Sequence, residues 1–442
     1  MRFALKIDLL ILAITVILFF TGCSNAEQSS AKDYGINNCS IVYCESGVVE
    51  YENHGNNTNE QTVYELASNG KTVAAYTALA MVDDGILSLD EKIAPYLDPE
   101  LVTADERLND ITLRQLLCHT AGFSPNYELG TDKKIYTDPG TAFCYSGVGY
   151  IYLQSVIENA SGMTMDQAAD KYVFGPLGMH NSTFESVPTV TPYMNLNSAL
   201  LYALAMFVIS FAVLFAAGGI TGKLTGFRFY SLKTALIVSF AAAGIINALF
   251  LLFFFISKVL LLFIACFMIM AAAMFITKKT RLMYFSVPVL TCLILASGFV
   301  IPVSIPVTND VISKEANCAY TFKSTSEDMS LFCCELMNRA KTQDDFYNVM
   351  FEPAVTINET DSWGLGIAIE NTNGSATTYW HSGINPGFQS LYVMYPGQDR
   401  FVIILTNSDN GLDYAKETAR EYLGVDGGWD ITRGSVPLTN TI

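Results

Sequence analysis

The sequence predicts an α+β domain: an antiparallel sheet flanked by helices, built from both ends of the chain and interrupted by a four-helix transmembrane insert. Three observations lead there. Strand-like alternation occurs near both ends, with helical patterning between. Four long stretches in the middle carry no Asp, Glu, Lys, Arg or His. The segments on either side of those stretches both carry residues suited to one catalytic site.

Composition sets the outer limits. The chain has 442 residues, enough for one large domain or two ordinary ones. It is 51% hydrophobic and only 15% charged, too apolar for a wholly soluble protein. A net charge of −17 repels phosphate backbones and excludes nucleic acid as a partner. Arg2 and Lys6 precede an apolar run from Leu9 to Phe20, then Thr21, Gly22 and Cys23. Small residues before a cysteine at that depth read as a lipoprotein signal with Cys23 lipidated; an uncleaved signal anchor is the alternative. Either way, the next residues lie outside the cytoplasm.

Residues 24–38 are polar and small and read as a linker after the 1–23 signal segment. Strands follow at Ser40 to Tyr43 and Gly47 to Tyr51, with a turn at Glu45-Ser46-Gly47. Helical patterning runs from Ser68 to about Asp84, closed by Gly85. Ser88-Leu89-Asp90-Glu91 has the pattern of a capping box for another short helix. The apolar stretches are Ser198 to Ile220, Thr234 to Ile256, Val259 to Thr277 and Leu282 to Val307. Lys223, Arg228 and Lys233 mark the first connection as cytoplasmic, and Lys278, Lys279 and Arg281 mark the third. An even number of crossings returns the chain to its starting side. The insert is set at 193–307, between catalytic segments 39–192 and 308–426. Strands recur at Ser390 to Tyr395 and Arg400 to Thr406, then a helix at Tyr414 to Leu423 and a tail at 427–442.

The chemistry starts at Ser68-Asn69-Gly70-Lys71. Residues three apart on a helix share a face, so hydroxyl and amine can touch. A serine hydroxyl is a weak nucleophile and needs a base; a lysine desolvated in an apolar helix can supply one. The spacing alone is weak, because it also occurs at Ser29 to Lys32 in the linker.

The wider context is specific. Tyr64 to Thr72, running on through Asp83 to Leu97, resembles the nucleophile helix of the serine β-lactamase and penicillin-binding-protein superfamily, nearest its class C and D-Ala-D-Ala carboxypeptidase branch. Leu116 to Phe123, Phe143-Cys144-Tyr145-Ser146-Gly147, Phe174 to Met179 and Trp380-His381-Ser382-Gly383 followed by Pro386-Gly387-Phe388 resemble its further motifs, in order. The resemblance implies an all-helical lobe beside the sheet and a site without cofactor or metal. It implies Ser68 as nucleophile, Lys71 as base and Tyr145 as partner in proton transfer. The backbone N–H groups of Ser68 and Ile384 become the oxyanion hole. His381 is expected to hydrogen-bond across the site or receive a substrate carboxylate, with Gly147, Ser382 and Gly383 lining the substrate. Gly147 stands where the family has asparagine, which removes a side-chain amide and puts amide and β-lactam cleavage in doubt, leaving esters open.

Taken without motif order, Tyr145 reads as core packing and His381 as a buried structural histidine. His119 reads as structural. His54 and His180 have no partner at metal-ligand spacing. Among the ten cysteines no disulfide framework is legible: Cys39 and Cys44 fall on opposite faces of one strand, and Cys333 and Cys334 are neighbours. The apolar spans lack ionisable groups, which argues against transport. The expectation is an acyl-serine hydrolase held in the cell membrane by several spans, with its catalytic face outside the cytoplasm. Its partners are membrane lipid and a small-molecule or peptidoglycan-like substrate. A ligand-binding receptor and an inactive scaffold are the alternatives.

Overall fold

The computed structural model describes residues 31–124, 133–195, 304–306, 316–342, 345–372 and 376–430. β1 (Cys39–Glu45) and β2 (Val48–His54) form a hairpin. Its loop residues Ser46 and Gly47 have φ of 53° and 80°. Positive φ at both positions matches the twist of paired strands, which is why the turn sits at the expected place. β3 (Tyr64–Ala67) leads into α1 (Gly70–Asp83). α2 (Leu113–Leu117), α3 (Gly147–Ser161) and α4 (Met165–Ala169) form the helical side. β4 (Tyr193–Asn195) pairs with β5 (Ser304–Pro306), and β6 (Phe322–Ser324) pairs with β3. α5 (Ser326–Lys341) follows. Then come β7 (Val355–Thr356), β8 (Asp361–Trp363), β9 (Ala368–Thr372), β10 (Ala376–Asn385), β11 (Phe388–Tyr395), β12 (Arg400–Thr406) and α6 (Gly411–Leu423).

The main sheet has the order β2-β1-β12-β11-β10-β9-β8-β7, with antiparallel neighbours. β1 runs from Cys39 opposite Thr406 to Glu45 opposite Arg400, so the two ends of the chain share one sheet as expected. α6 turns one stripe inward, Tyr414, Ala415, Ala419 and Leu423, against β11 and β12. α1 differs: every residue from Gly70 to Met81 is buried, which makes it the central helix of the core.

Several sequence expectations change. Ser88 to Glu91 starts no helix; it is a turn closed by Glu91 N–H donating to Ser88 O at 3.2 Å. A short 3-10 turn at Ala94–Tyr96 follows, because Pro95 has no N–H for a helix interior. Part of the predicted linker is packed. Ile36 is buried, and Asn38 N–H donates to Asn407 Oδ1 at 2.8 Å. The domain also runs past 426. Trp429 is fully buried, its indole N–H donating to Thr378 Oγ1 at 3.1 Å and its backbone N–H to Glu370 at 2.8 Å.

Cys23 and the first three predicted spans lie outside the described residues. So does the fourth except its end, where Ser304–Pro306 is strand rather than helix; Pro302 and Pro306 lack the N–H groups a helix needs. Among the described residues no helix is long and apolar enough to cross a membrane. β4 and β5 pair antiparallel, Tyr193 opposite Pro306 and Asn195 opposite Ser304. The intervening segment therefore leaves and rejoins the domain at adjacent points.

Candidate active site

The site is built where β3 turns into α1. Ala67 adopts φ of 46°, left-handed and strained for a residue with a Cβ. Ser68 and the helix cap Asn69 follow, so Ser68 stands just ahead of the helix rather than within it. The turn is pinned from the sheet. Asn69 Nδ2 donates to Ser390 Oγ at 2.9 Å, and the Thr72 and Tyr392 hydroxyls share a hydrogen bond of 2.7 Å. Gly70 is required by packing, since a Cβ there would sit 2.5 Å from Phe322 Cβ.

Lys71 Nζ donates to Ser68 Oγ at 3.0 Å. The serine is partly exposed while the lysine is buried, an arrangement that lets a substrate reach the hydroxyl but not the amine. Nζ also donates to the Ala319 carbonyl at 2.5 Å. Burial disfavours the ammonium and lowers Lys71 to about 7; the nearby Cys318 opposes this slightly. The loop supplying that carbonyl is shaped by Asn317, whose Oδ1 accepts the N–H groups of Ala319 at 3.1 Å and Tyr320 at 3.0 Å. A backbone carbonyl leaves no mark in a sequence, so this partner of Lys71 was not foreseen.

Tyr145 lies beside the pair, its ring centroid 5.1 Å from Lys71 Nζ. Burial pushes its phenol well above the ordinary value, and the adjacent Ser68 hydroxyl offsets part of this. The buried hydroxyl has no hydrogen-bond partner of regular geometry. His119 props this segment: its carbonyl accepts Cys144 N–H at 2.8 Å and its Nδ1 accepts Ser146 N–H at 3.1 Å. Its ring lies 4.4 Å from that of Tyr145. The structural reading of His119 fits, but the residue stands directly behind the site. Gly147 opens α3, capped by Ser146 Oγ accepting Gly149 N–H at 3.0 Å.

β10 brings His381 to the same place, its ring 6.0 Å from Tyr145 and 5.6 Å from Trp363. It is wholly buried, and its Nδ1 lies 2.8 Å from the Ser382 carbonyl. As the donor there, Nδ1 leaves Nε2 a lone-pair acceptor without a partner. Burial first, then the charge of Lys71, lowers His381 to about 3. The imidazole is therefore neutral at physiological pH, with Nε2 aimed as an acceptor. Gly383 lets β10 press on β3, because a Cβ there would lie 1.9 Å from the Leu66 carbonyl oxygen. Ser382 is buried and Ile384 is half exposed at the next position but one. Asn385 Nδ2 ties the end of the strand to Glu65 at 2.9 Å and to the Tyr320 carbonyl at 3.0 Å.

Residues from far-separated segments thus converge: Ser68 and Lys71, Tyr145, and His381. A groove of 1110 Å³ elsewhere, between β2 and α6, is lined by none of them. Comparisons with known proteins place the chain in a family and show what its fold is like. The model of the beta-lactamase family matches residues 24–194 and 306–426. Penicillin-binding protein 4 of Amycolatopsis lactamdurans is 29% identical over 136 residues, 27% of this chain and 36% of that protein. Lovastatin esterase of Penicillium rubens is 30% identical over 161 residues, 28% of this chain and 40% of that protein. The chain therefore spans well under half the length of these curated relatives. The crystal structure of a penicillin binding protein from Bacillus halodurans superposes with a TM-score of 0.55 at 18% identity, over 91% of this chain and 100% of that one, a likeness of fold. The family model matches on both sides of the interrupted middle, and the chain belongs to the beta-lactamase family.

Proposed function

We propose that the protein is a membrane-anchored hydrolase that works through an acyl-serine intermediate outside the cytoplasm, on esters, β-lactams or peptidoglycan-like D-amino-acid peptides. One observation carries the reading: a buried amine with a pKa of about 7 donates a 3.0 Å hydrogen bond to a partly exposed serine hydroxyl. At neutral pH a good share of Lys71 is the free amine, the form that accepts a proton. Ser68 Oγ attacks the carbonyl carbon as its proton passes to Lys71. The oxyanion is received by the N–H groups of Ser68 and Ile384, each donor worth about 3 kcal/mol in such sites. Collapse breaks the bond to the leaving group, which takes a proton through the Tyr145 phenol. Water then attacks the acyl-serine by the reverse route. His381 contributes Nε2 as a hydrogen-bond acceptor, and Gly147, Ser382 and Gly383 border the substrate.

Gly147 favours esters over amides, because no side-chain amide stands there to hold a substrate amide. The apolar middle of the chain and a lipidated Cys23 would anchor the domain; the adjacent flanks β4 and β5 suit a segment that leaves and returns on one side. The test is intact-protein mass spectrometry with a panel of β-lactams, activated esters and a fluorophosphonate. Wild type should gain one acyl group, and Ser68→Ala none. Undiminished labelling of that variant removes Ser68 from the mechanism. Many product molecules per chain support a hydrolase, whereas a single stoichiometric burst favours the receptor.

A further inference from the structure

The seam between β1 and α5 joins the two parts of the interrupted domain, and it holds two thiols. β1 belongs to the segment before the interruption and α5 to the segment after it. The two elements pack together, and their alignment follows from contacts along their length. Tyr51 of β2 shares a 2.9 Å hydroxyl hydrogen bond with Ser330 of α5. Tyr51 lies opposite Val42 of β1, and paired residues share a face of the sheet. Two residues on along β1, on that same face, is Cys44, opposite Val49. One turn on along α5 from Ser330 is Cys334. Four helical residues rise about 6 Å and two strand residues about 6.6 Å, so the steps match. Farther along, Lys341 pairs with Asp399 at 2.6 Å, and the Asp399 carbonyl accepts Ser46 N–H at 2.8 Å, which keeps the same alignment past the strand end. Accordingly the Cys44 and Cys334 thiols neighbour and interact with each other across the seam. Cys333, one position back, is fully buried and turned into the core.

We propose that Cys44 and Cys334 are a disulfide site that staples the segment before the interruption to the segment after it. Both are free thiols in this structure. The bond forms by exchange with a disulfide donor, protein or small-molecule. The Cys334 thiolate, the partly exposed partner, attacks the donor and displaces one donor thiolate. Cys44 then loses its proton and attacks Cys334 Sγ, displacing the second. Two protein thiols are oxidised and one donor disulfide is reduced to two thiols. Burial pushes Cys44 up to about 11, which makes the second step slow at neutral pH. The function of the staple rests on the extracytoplasmic placement proposed above, where such donors persist; its chemistry does not. It would hold α5, and with it the β6 strand and the Ala319 loop at α5's N-terminal end, against the sheet.

The full chain is incubated with oxidised glutathione, the remaining thiols are alkylated, and the protein is digested without reductant. A Cys44–Cys334 linked peptide is expected in wild type and in Cys333→Ser, and in neither Cys44→Ser nor Cys334→Ser. Oxidised wild type should melt about 5 °C or more above its reduced form, a shift that either serine variant abolishes. Complete alkylation of both thiols after oxidation, or a link that runs through Cys333, overturns the proposal. Ser68 labelling, measured in parallel, reads the hydrolase proposal by itself: labelled protein without the link overturns only the staple, and linked protein without labelling overturns only the hydrolase reading.

Discussion

Replacing Lys71 by methionine should stabilise the protein and disable it together. The amine titrates at about 7 in the folded state, against roughly 10.4 in an unfolded chain. Each unit is worth about 1.4 kcal/mol, so holding this residue in the core costs roughly 4 kcal/mol at pH 7. The sign follows from proton counting. Between pH 7 and about 10.4 the unfolded chain binds the proton and the native state does not, so stability rises with pH across that window. Below pH 7 the full cost persists. Methionine removes it but forfeits the bonds to Ser68 and Ala319, worth about 1–3 kcal/mol together. The balance is a gain of roughly 2 kcal/mol at pH 7, or about 5 °C in Tm, that vanishes near pH 9 and becomes a loss of about 1 kcal/mol by pH 10. Acylation of Ser68 should fall about 10²–10⁴-fold. Thermal melts followed by tryptophan fluorescence report on this body, because Trp363, Trp380 and Trp429 are all buried in it. A variant that melts below wild type at pH 7, or that labels at the wild-type rate, refutes the reasoning.

Gly383→Ala places a methyl on the Leu66 carbonyl; β10 must back away from β3, which should lower stability by about 1–3 kcal/mol and cut kcat/KM on an activated ester about 100-fold. An unchanged kcat/KM would show that this close approach has no part in the site. Gly147→Asn supplies the side-chain amide missing at the start of α3, so the ratio of amide to ester hydrolysis should rise about tenfold in paired assays. No change in that ratio would separate Gly147 from substrate choice. Trp429→Ala should cost about 3–5 kcal/mol in a denaturant melt, because the indole is a fully buried part of the core; a change under about 1 kcal/mol would make the segment a detachable tail.

The legible parts of the fold were those with local causes. The β1–β2 hairpin was readable because Ser46-Gly47 fits the turn that twisted strands require. α6 was readable from its single apolar stripe. Ser68 and Lys71 were readable as a pair because a spacing of three is one turn, although the turn that joins them is the one leading into α1 and not the helix itself. The failures were local patterns overruled from a distance. Ser88 to Glu91 has the letters of a capping box, but Pro95 denies the helix its length. Residues 31–38 and 427–430 look like linker and tail, yet Ile36 and Trp429 find cavities provided by strands far away in the chain.

What the sequence determined by itself was the inventory: a serine with a lysine one turn away, a tyrosine and a histidine in motif order, and an apolar middle between the two parts of the domain. Tertiary structure decided the state of that inventory. The pKa of the Lys71 amine is lowered and the His381 ring kept neutral because the packed core removes water from both, and desolvation depends on every neighbour rather than on sequence spacing. The Ala319 carbonyl, the Gly383 approach to Leu66 and the meeting of Cys44 with Cys334 exist only once sheet and helices close, since each joins backbone or side chains whose separation along the chain carries no pattern.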